Sequence, residues 1–197
     1  MYSGKTEELI RRLRRAQIAK LPVQVFKPTL DDRYDAERIN AHSGGRLEAV
    51  LAGSSQELSA QLRRDTLVIG IDEVQFFDSG VVPLCQALLA DDRHIIVAGL
   101  DLDFRAEPFP VMAELLARAT DVTKLQAICV ECGAPATRSQ RLIDGRPASW
   151  DDPIILIGAA EAYEARCHLC HVIRGHSPSI RGWQKPGEAT LPLLPGT

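Results

Sequence analysis

An α/β fold is predicted, built on a parallel sheet flanked by helices, with a small second lobe rich in cysteine and turn residues. Three observations predict it. The apolar runs at 66–71 and 94–98 are nearly continuous, as in strands buried on both faces of a parallel sheet. Segments with helical spacing of apolar residues alternate with those runs. After about Lys124 the alternation stops, and two Cys-x-x-Cys pairs dominate to about His171.

The elements follow in order. From Thr6 to about Ala19, Leu9, Ile10, Leu13 and Ala16 recur at helical spacing among arginines, so an amphipathic helix begins directly after Gly4. Pro22 closes it, and 23–26 reads as a short strand. A polar loop then holds Lys27-Pro28, Asp31-Asp32-Arg33-Tyr34 and Ser43-Gly44-Gly45. Residues 47–51 read as a strand, and 55–62 as a helix with a serine cap and Glu57 in its first turn. The buried strand 66–71 ends in Asp72-Glu73, a helix spans 84–89, and strand 94–98 runs into Gly99-Leu100-Asp101. A helix at 111–119 follows, and 154–157 reads as a short strand of the cysteine lobe. The chain divides into residues 1–124, a lobe at 125–181 and a loose tail at 182–197 that carries Pro186, Pro192 and Pro195.

The 197 residues suit one domain with a small appendage, and 45% apolar with 25% charged is ordinary for a globular protein. No apolar run reaches membrane-spanning length, and charges begin at Lys5 with no signal-type apolar region after it. A cytoplasmic location is therefore expected. A net charge of -3 argues against a broadly basic nucleic-acid surface. Of the five cysteines, Cys85 stands outside the pairs in an apolar helical stretch and is expected to be a buried free thiol. Paired cysteines in such a chain point to a metal.

Ser3-Gly4-Lys5-Thr6 matches the end of the phosphate-binding loop G-x-x-x-x-G-K-[ST]. Glycine lets backbone N–H groups face an anion, lysine adds charge, the hydroxyl reaches Mg²⁺, and the helix that follows adds its N-terminal dipole. The loop's first glycine should stand five residues before Gly4, and only Met1, Tyr2 and Ser3 precede it. By themselves the four residues read better as a helix capped by Ser3 or Thr6. Asp72 changes that reading. An acidic residue at the end of a neighbouring buried strand is the other half of such a site, where it holds Mg²⁺. Both halves in one chain point to a P-loop NTPase-like nucleotide site. Glu73 should point away from Asp72, toward an acceptor whose hydroxyl proton it can take. That favours phosphoryl transfer to an alcohol, although ATP hydrolysis uses similar parts.

Cys129-x-x-Cys132 and Cys167-x-x-Cys170 form a tetrahedral thiolate set suited to structural Zn²⁺. His168 and His171 lie beside the second pair as alternative ligands, four thiolates being the simpler arrangement.

The stretches MYSGKTEELIRRLRRA, KPTLDDRY, IGIDEVQFF, AGLDLDFRAEPF, CVECGAPATRSQRL and IGAAEAYEARCHLC, in that order, resemble the zinc-containing P-loop (type II) thymidine kinase family from Met1 to about Cys170. The resemblance implies transfer of the ATP γ-phosphate to the 5′-hydroxyl of thymidine, in nucleotide salvage. It implies that Ser3, Gly4, Lys5 and Thr6 bind ATP and Mg²⁺, with Asp72, Gln75 and Arg33, and that Glu73 is the catalytic base. Asp31 matches the aspartate near the deoxyribose. Without the resemblance, Asp31 and Arg33 read as a solvated turn.

Met1, Phe76, Leu100 and Phe104 match positions lining the thymine pocket, where residue type alone would suggest core, as it does for Phe77. Ser139, Ile157, Gly158 and Tyr163 match substrate-side positions on a zinc-ribbon lobe. Its lasso loop, anchored by zinc on Cys129, Cys132, Cys167 and Cys170, closes over the nucleoside and excludes water. A homotetramer and feedback inhibition by dTTP in the substrate site are implied as well, while the net charge and the lack of a membrane-length apolar run lead to the expectation of no nucleic-acid or membrane partner.

Three departures carry expectations. Gly158-Ala159 stands where the family usually has Gly-Gly, and the added methyl restricts the loop. Ser139 stands where threonine is common, so looser selection at the thymine 5-position is expected. Family members also carry a strand and a Gly-x pair before the residue matched by Met1. That strand is expected centrally, beside the Asp72 strand, and a chain starting at Met1 should be impaired in ATP binding and stability. A start assigned too late, or a shortened piece, is the simpler account of that difference. The competing readings are a P-loop ATPase with a structural zinc lobe, a zinc-ribbon module for nucleic acid, and a family member inactivated by N-terminal loss.

Overall fold

The structure, a computed structural model, describes residues 1–29, 38–40, 46–154 and 161–175. Helix α1 (Lys5–Ile18) buries Leu9, Ile10 and Leu13 as one stripe, with Glu7 and Glu8 in its first turn and Arg15 in its last, matching the helix dipole. Four strands follow: β1 (Val23–Pro28), β2 (Arg38–Asn40), β3 (Arg46–Glu48) and β4 (Val50–Ala52). The strand expected at 47–51 is thus two. β3 pairs antiparallel with β2, and β4 then lies parallel to β1. Helix α2 (Ser55–Gln61) has its serine cap, Ser54 Oγ accepting from the Glu57 N–H at 3.1 Å. Strand β5 (Val68–Ile71), helix α3 (Val81–Ala90), strand β6 (His94–Val97) and helix α4 (Pro110–Arg118) complete the first lobe.

The sheet order is β4-β1-β5-β6, all parallel, so the chain is mixed α/β with a four-stranded parallel sheet flanked by helices. Side-chain alternation splits the core in two. Phe26, Ile69 and Ile71 face α3 and α4 with Val81, Cys85, Met112 and Leu115. Val25 and Val68 face α1 with Leu9, Ile10 and Leu13. Cys85 is buried in the first cluster, and burial pushes its thiol up to about 11, as suits an inert core cysteine.

Gly70 lets α1 approach the sheet: a Cβ there would lie 2.7 Å from Leu13 Cδ1. Gly70→Ala is expected to destabilise the protein by about 1–3 kcal/mol, read as a lower urea midpoint at unchanged slope.

One expectation is corrected here. The family's additional strand was expected beside the Asp72 strand, which is β5. Both edges of β5 are already paired, to β1 and to β6, so no further strand fits next to it. The outer edge of β6 carries no strand among the described residues.

The second lobe is antiparallel. Strands β7 (Ala127–Ile128) and β8 (Pro135–Ala136) pair as a short hairpin. Strands β9 (Arg138–Ile143), β10 (Arg146–Pro147) and β11 (Glu161–Arg166) form a sheet in the order β10-β9-β11. Asp144 and Gly145, both at positive φ, make the two-residue turn between β9 and β10. The strand expected at 154–157 falls mostly outside the described residues, as does the whole 182–197 tail. Among the described residues, no helix is long and apolar enough to cross a membrane.

Candidate active site

A cleft of about 360 Å³ opens at the C-terminal end of β5, between the start of α1 and the second lobe. Gly4 holds the cap position of α1 in the left-handed region, φ 78, which glycine tolerates. The capping alternative does not hold: Gly4 caps α1 with no side-chain cap hydrogen bond, and Thr6 Oγ1 donates instead to Asp72 Oδ2 at 3.4 Å. Ser3, Gly4, Lys5 and Thr6 all line the cleft, beside the positive end of the helix.

Asp72 directly follows β5 and is buried, its Oδ1 accepting from the Glu73 N–H at 3.0 Å. Burial, and then the neighbouring Glu73 charge, push its carboxyl up to about 6. Glu73 adopts a left-handed conformation, φ 48, and opens a single 3₁₀ turn, Val74–Phe76. That bend turns its side chain into the cleft while Asp72 stays against Thr6.

Gln75 departs from its expected place among the ATP and Mg²⁺ residues. It is buried, and it does not line the cleft. Its Nε2 donates to Glu73 Oε2 at 2.6 Å, and its Oε1 accepts from the Leu100 N–H at 3.0 Å. Each end of the amide thus holds another expected site residue. Gly99 makes room for it, since a Cβ there would lie 2.4 Å from Gln75 Oε1.

The apolar part of the cleft joins both lobes. Met1, Phe76, Leu100 and Phe104 come from the first, and Ser139 and Tyr163 from β9 and β11. The Met1 nitrogen donates to Ser139 Oγ at 2.9 Å. Phe77 is core, as residue type suggested. Asp31, Arg33, Ile157 and Gly158, with the Gly158-Ala159 departure, lie outside the described residues.

Sequence reasoning missed Tyr2, Glu7, Leu102, Asp103, Phe109 and Ile154, which also line the cleft. Phe109 meets Phe76 edge to face at 5.9 Å. It arrives there because the 102–108 loop folds back on itself: Leu102 bridges Pro108, and buried Asp103 accepts from the Arg105 and Glu107 N–H groups. Pro108-Phe109 stands before α4 in the sequence, but spacing gives no sign of that fold-back.

The sulfurs of Cys129, Cys132, Cys167 and Cys170 all lie within 4.8 Å of one another. Cys132 and Cys167 are 3.7 Å apart at sulfur, close to the ~3.8 Å of two thiolates on one tetrahedral zinc. Burial alone would raise the Cys129 thiol, but N–H groups from Cys167, Cys132 and Glu131 bring it down to about 6. The N–H groups of Cys170 and Leu169 likewise lower Cys167 against burial. Gly133, φ 74, closes the first knuckle, its N–H donating to the Cys129 carbonyl. This donor set fits a structural zinc ion. His171 is directed elsewhere, its Nε2–H donating to the Phe104 carbonyl at 2.9 Å, and burial holds it below the usual histidine range.

A strand-end acid in contact with a helix N-terminus at one end of a parallel sheet, with a four-cysteine lobe closing one side, defines an α/β protein of the P-loop class with a metal-binding appendage. The thymidine kinase family model matches residues 1–171, and the chain belongs to that family. Membership supports a kinase, of the thymidine kinase type that acts on nucleosides.

Proposed function

We propose that the chain transfers the γ-phosphoryl group of ATP to the 5′-hydroxyl of thymidine, giving dTMP and ADP. The observation that carries this reading is the convergence in one cleft of a phosphate-type helix start, the Glu73 carboxylate and an aromatic wall drawn from both lobes, with Asp72 buried just behind, against Thr6. Phosphate chemistry needs the first two, and a flat nucleobase needs the third.

Lys5 sets its positive charge beside the phosphates, and the α1 N-terminus adds backbone donors. Asp72 and Thr6 offer the oxygen donors that Mg²⁺ takes, and the ion when bound to ATP offsets charge on the β- and γ-phosphates. Glu73, held by Gln75, accepts the proton of the 5′-hydroxyl as the new O–P bond forms. The old bond between the γ-phosphorus and the bridging oxygen breaks, and its electron pair leaves on ADP. Phe76, Leu100, Phe104 and Tyr163 enclose the base side.

A coupled assay of ADP release tests this. Release is expected to depend on thymidine, with dTMP formed in equal amount. Release at the same rate without nucleoside would instead make the chain a plain ATPase.

A further inference from the structure

We propose that Arg141 is a positioning residue for the nucleoside side of the cleft, acting through the ring of Phe104. The ligand in this inference rests on the kinase reading above, and the geometry does not.

Arg141 sits in the middle of β9 and is the largest side chain in the described residues with essentially no exposure. A guanidinium is costly to bury, and an apolar side chain of similar volume would fill the same space with less desolvation. What the arginine adds is direction. Its guanidinium carbon lies 5.1 Å from the centroid of the Phe104 ring, within cation–π range. Its Nη1 donates to the Pro153 carbonyl at 2.5 Å, and the next residue, Ile154, lines the cleft.

Arg141 itself does not line the cleft, but it touches or adjoins what does. Its cross-strand partner on β11 is Tyr163, and Ser139 lies two residues earlier on the same face of β9. Both line the cleft with Phe104. Phe104 belongs to the first lobe, whereas Arg141, Tyr163 and Ser139 belong to the second. The guanidinium therefore fixes an aromatic wall of one lobe to the sheet of the other.

Arg105 strengthens the same ring from its own loop. Its guanidinium lies 5.2 Å from the Phe104 centroid and 5.6 Å from Trp150, and it donates to the Asp152 carbonyl. Because Arg105 is half-buried and adjacent in sequence, it can follow Phe104 if the loop moves. Arg141, fixed in a strand, cannot.

The test compares Arg141→Met and Arg141→Lys with wild type in two independent ways. Without ligand, amide hydrogen exchange of the 103–107 loop is expected to quicken in Arg141→Met, and less in Arg141→Lys. With ligand, the thymidine Kd is expected to rise about tenfold in Arg141→Met while the ATP Kd stays within about twofold. In a Phe104→Leu background the Arg141→Met effect should largely vanish, because the two act as one unit. Should Arg141→Met fail to fold, Arg141→Lys alone decides, since it keeps the charge and loses the planar fork. Unchanged loop exchange overturns the proposal, as does an equal loss of ATP and thymidine affinity, or an effect that adds in full to Phe104→Leu. Absence of thymidine binding by wild type would sink the kinase reading instead, and the exchange arm would still judge Arg141.

Discussion

Glu73→Gln is expected to lower kcat by roughly 10²–10⁴-fold while thymidine still binds, because the substitution keeps shape and removes only the proton acceptor. The carbonyl oxygen of the new side chain can still accept from Gln75 Nε2, so the local hydrogen bond survives. Loss of the Glu73 charge also removes one of the two causes that raise Asp72. Asp72 then ionises more readily than the wild-type value of about 6. Protonation of Asp72 therefore cannot mimic the effect, and assays well above that value keep it ionised in both proteins. Single-turnover rates with ATP and thymidine, alongside calorimetric thymidine binding, separate chemistry from affinity. Near-normal turnover would remove Glu73 from the base role. Loss of binding together with turnover would show a structural effect instead.

The parts of the fold legible in the sequence were those governed by local pattern. The run at 66–71 announced a buried strand because apolar side chains on both faces leave nothing for solvent, and β5 is buried at every position. The start of α1 was legible from Gly4 and the stripe Leu9, Ile10, Leu13. The metal set was legible because ligand spacing is itself local. Pairing was not. The 47–51 segment splits because two different strands claim its ends, and sequence carries no register for either. The neighbours of β5 were misplaced for the same reason.

Within the candidate site, the motif residues Ser3 to Thr6 and Glu73 were legible, whereas lining residues such as Phe109 and Ile154, brought in by loops, were not. Gln75 was expected beside the phosphates, and the structure adds what spacing does not show, that its amide bridges Glu73 and the Leu100 N–H. Nothing in the sequence marks Arg141, because an arginine in a polar segment is by default solvated. Its burial depends on Phe104 arriving from another lobe, which no window of sequence contains.

Cys167→Ala is expected to have the largest structural effect of any single change. The second lobe has a small core of Ala127, Cys129, Ala136, Ala165 and Cys167, two of them members of the cysteine cluster itself. So little apolar surface cannot offset the entropy of ordering the lobe, and metal–thiolate bonding, on the order of 10 kcal/mol for structural zinc, would have to supply the difference. Removing one sulfur leaves three thiolates and a cavity, so zinc content should fall well below one per chain. The first lobe has its own two-sided core on the parallel sheet and should stay folded, giving a melt that separates into two transitions. Thymidine affinity should then fall by about 1.4 kcal/mol or more, tenfold in Kd. Ser139 and Tyr163 arrive on β9 and β11, and the Phe104 carbonyl is held by His171, next to Cys170. ATP affinity should change far less, since Gly4, Lys5, Thr6 and Asp72 all belong to the first lobe. Metal analysis, calorimetry and the two Kd values measure each step. Full zinc occupancy with unchanged thymidine affinity would show that the lobe neither depends on its fourth sulfur nor shapes the nucleoside wall.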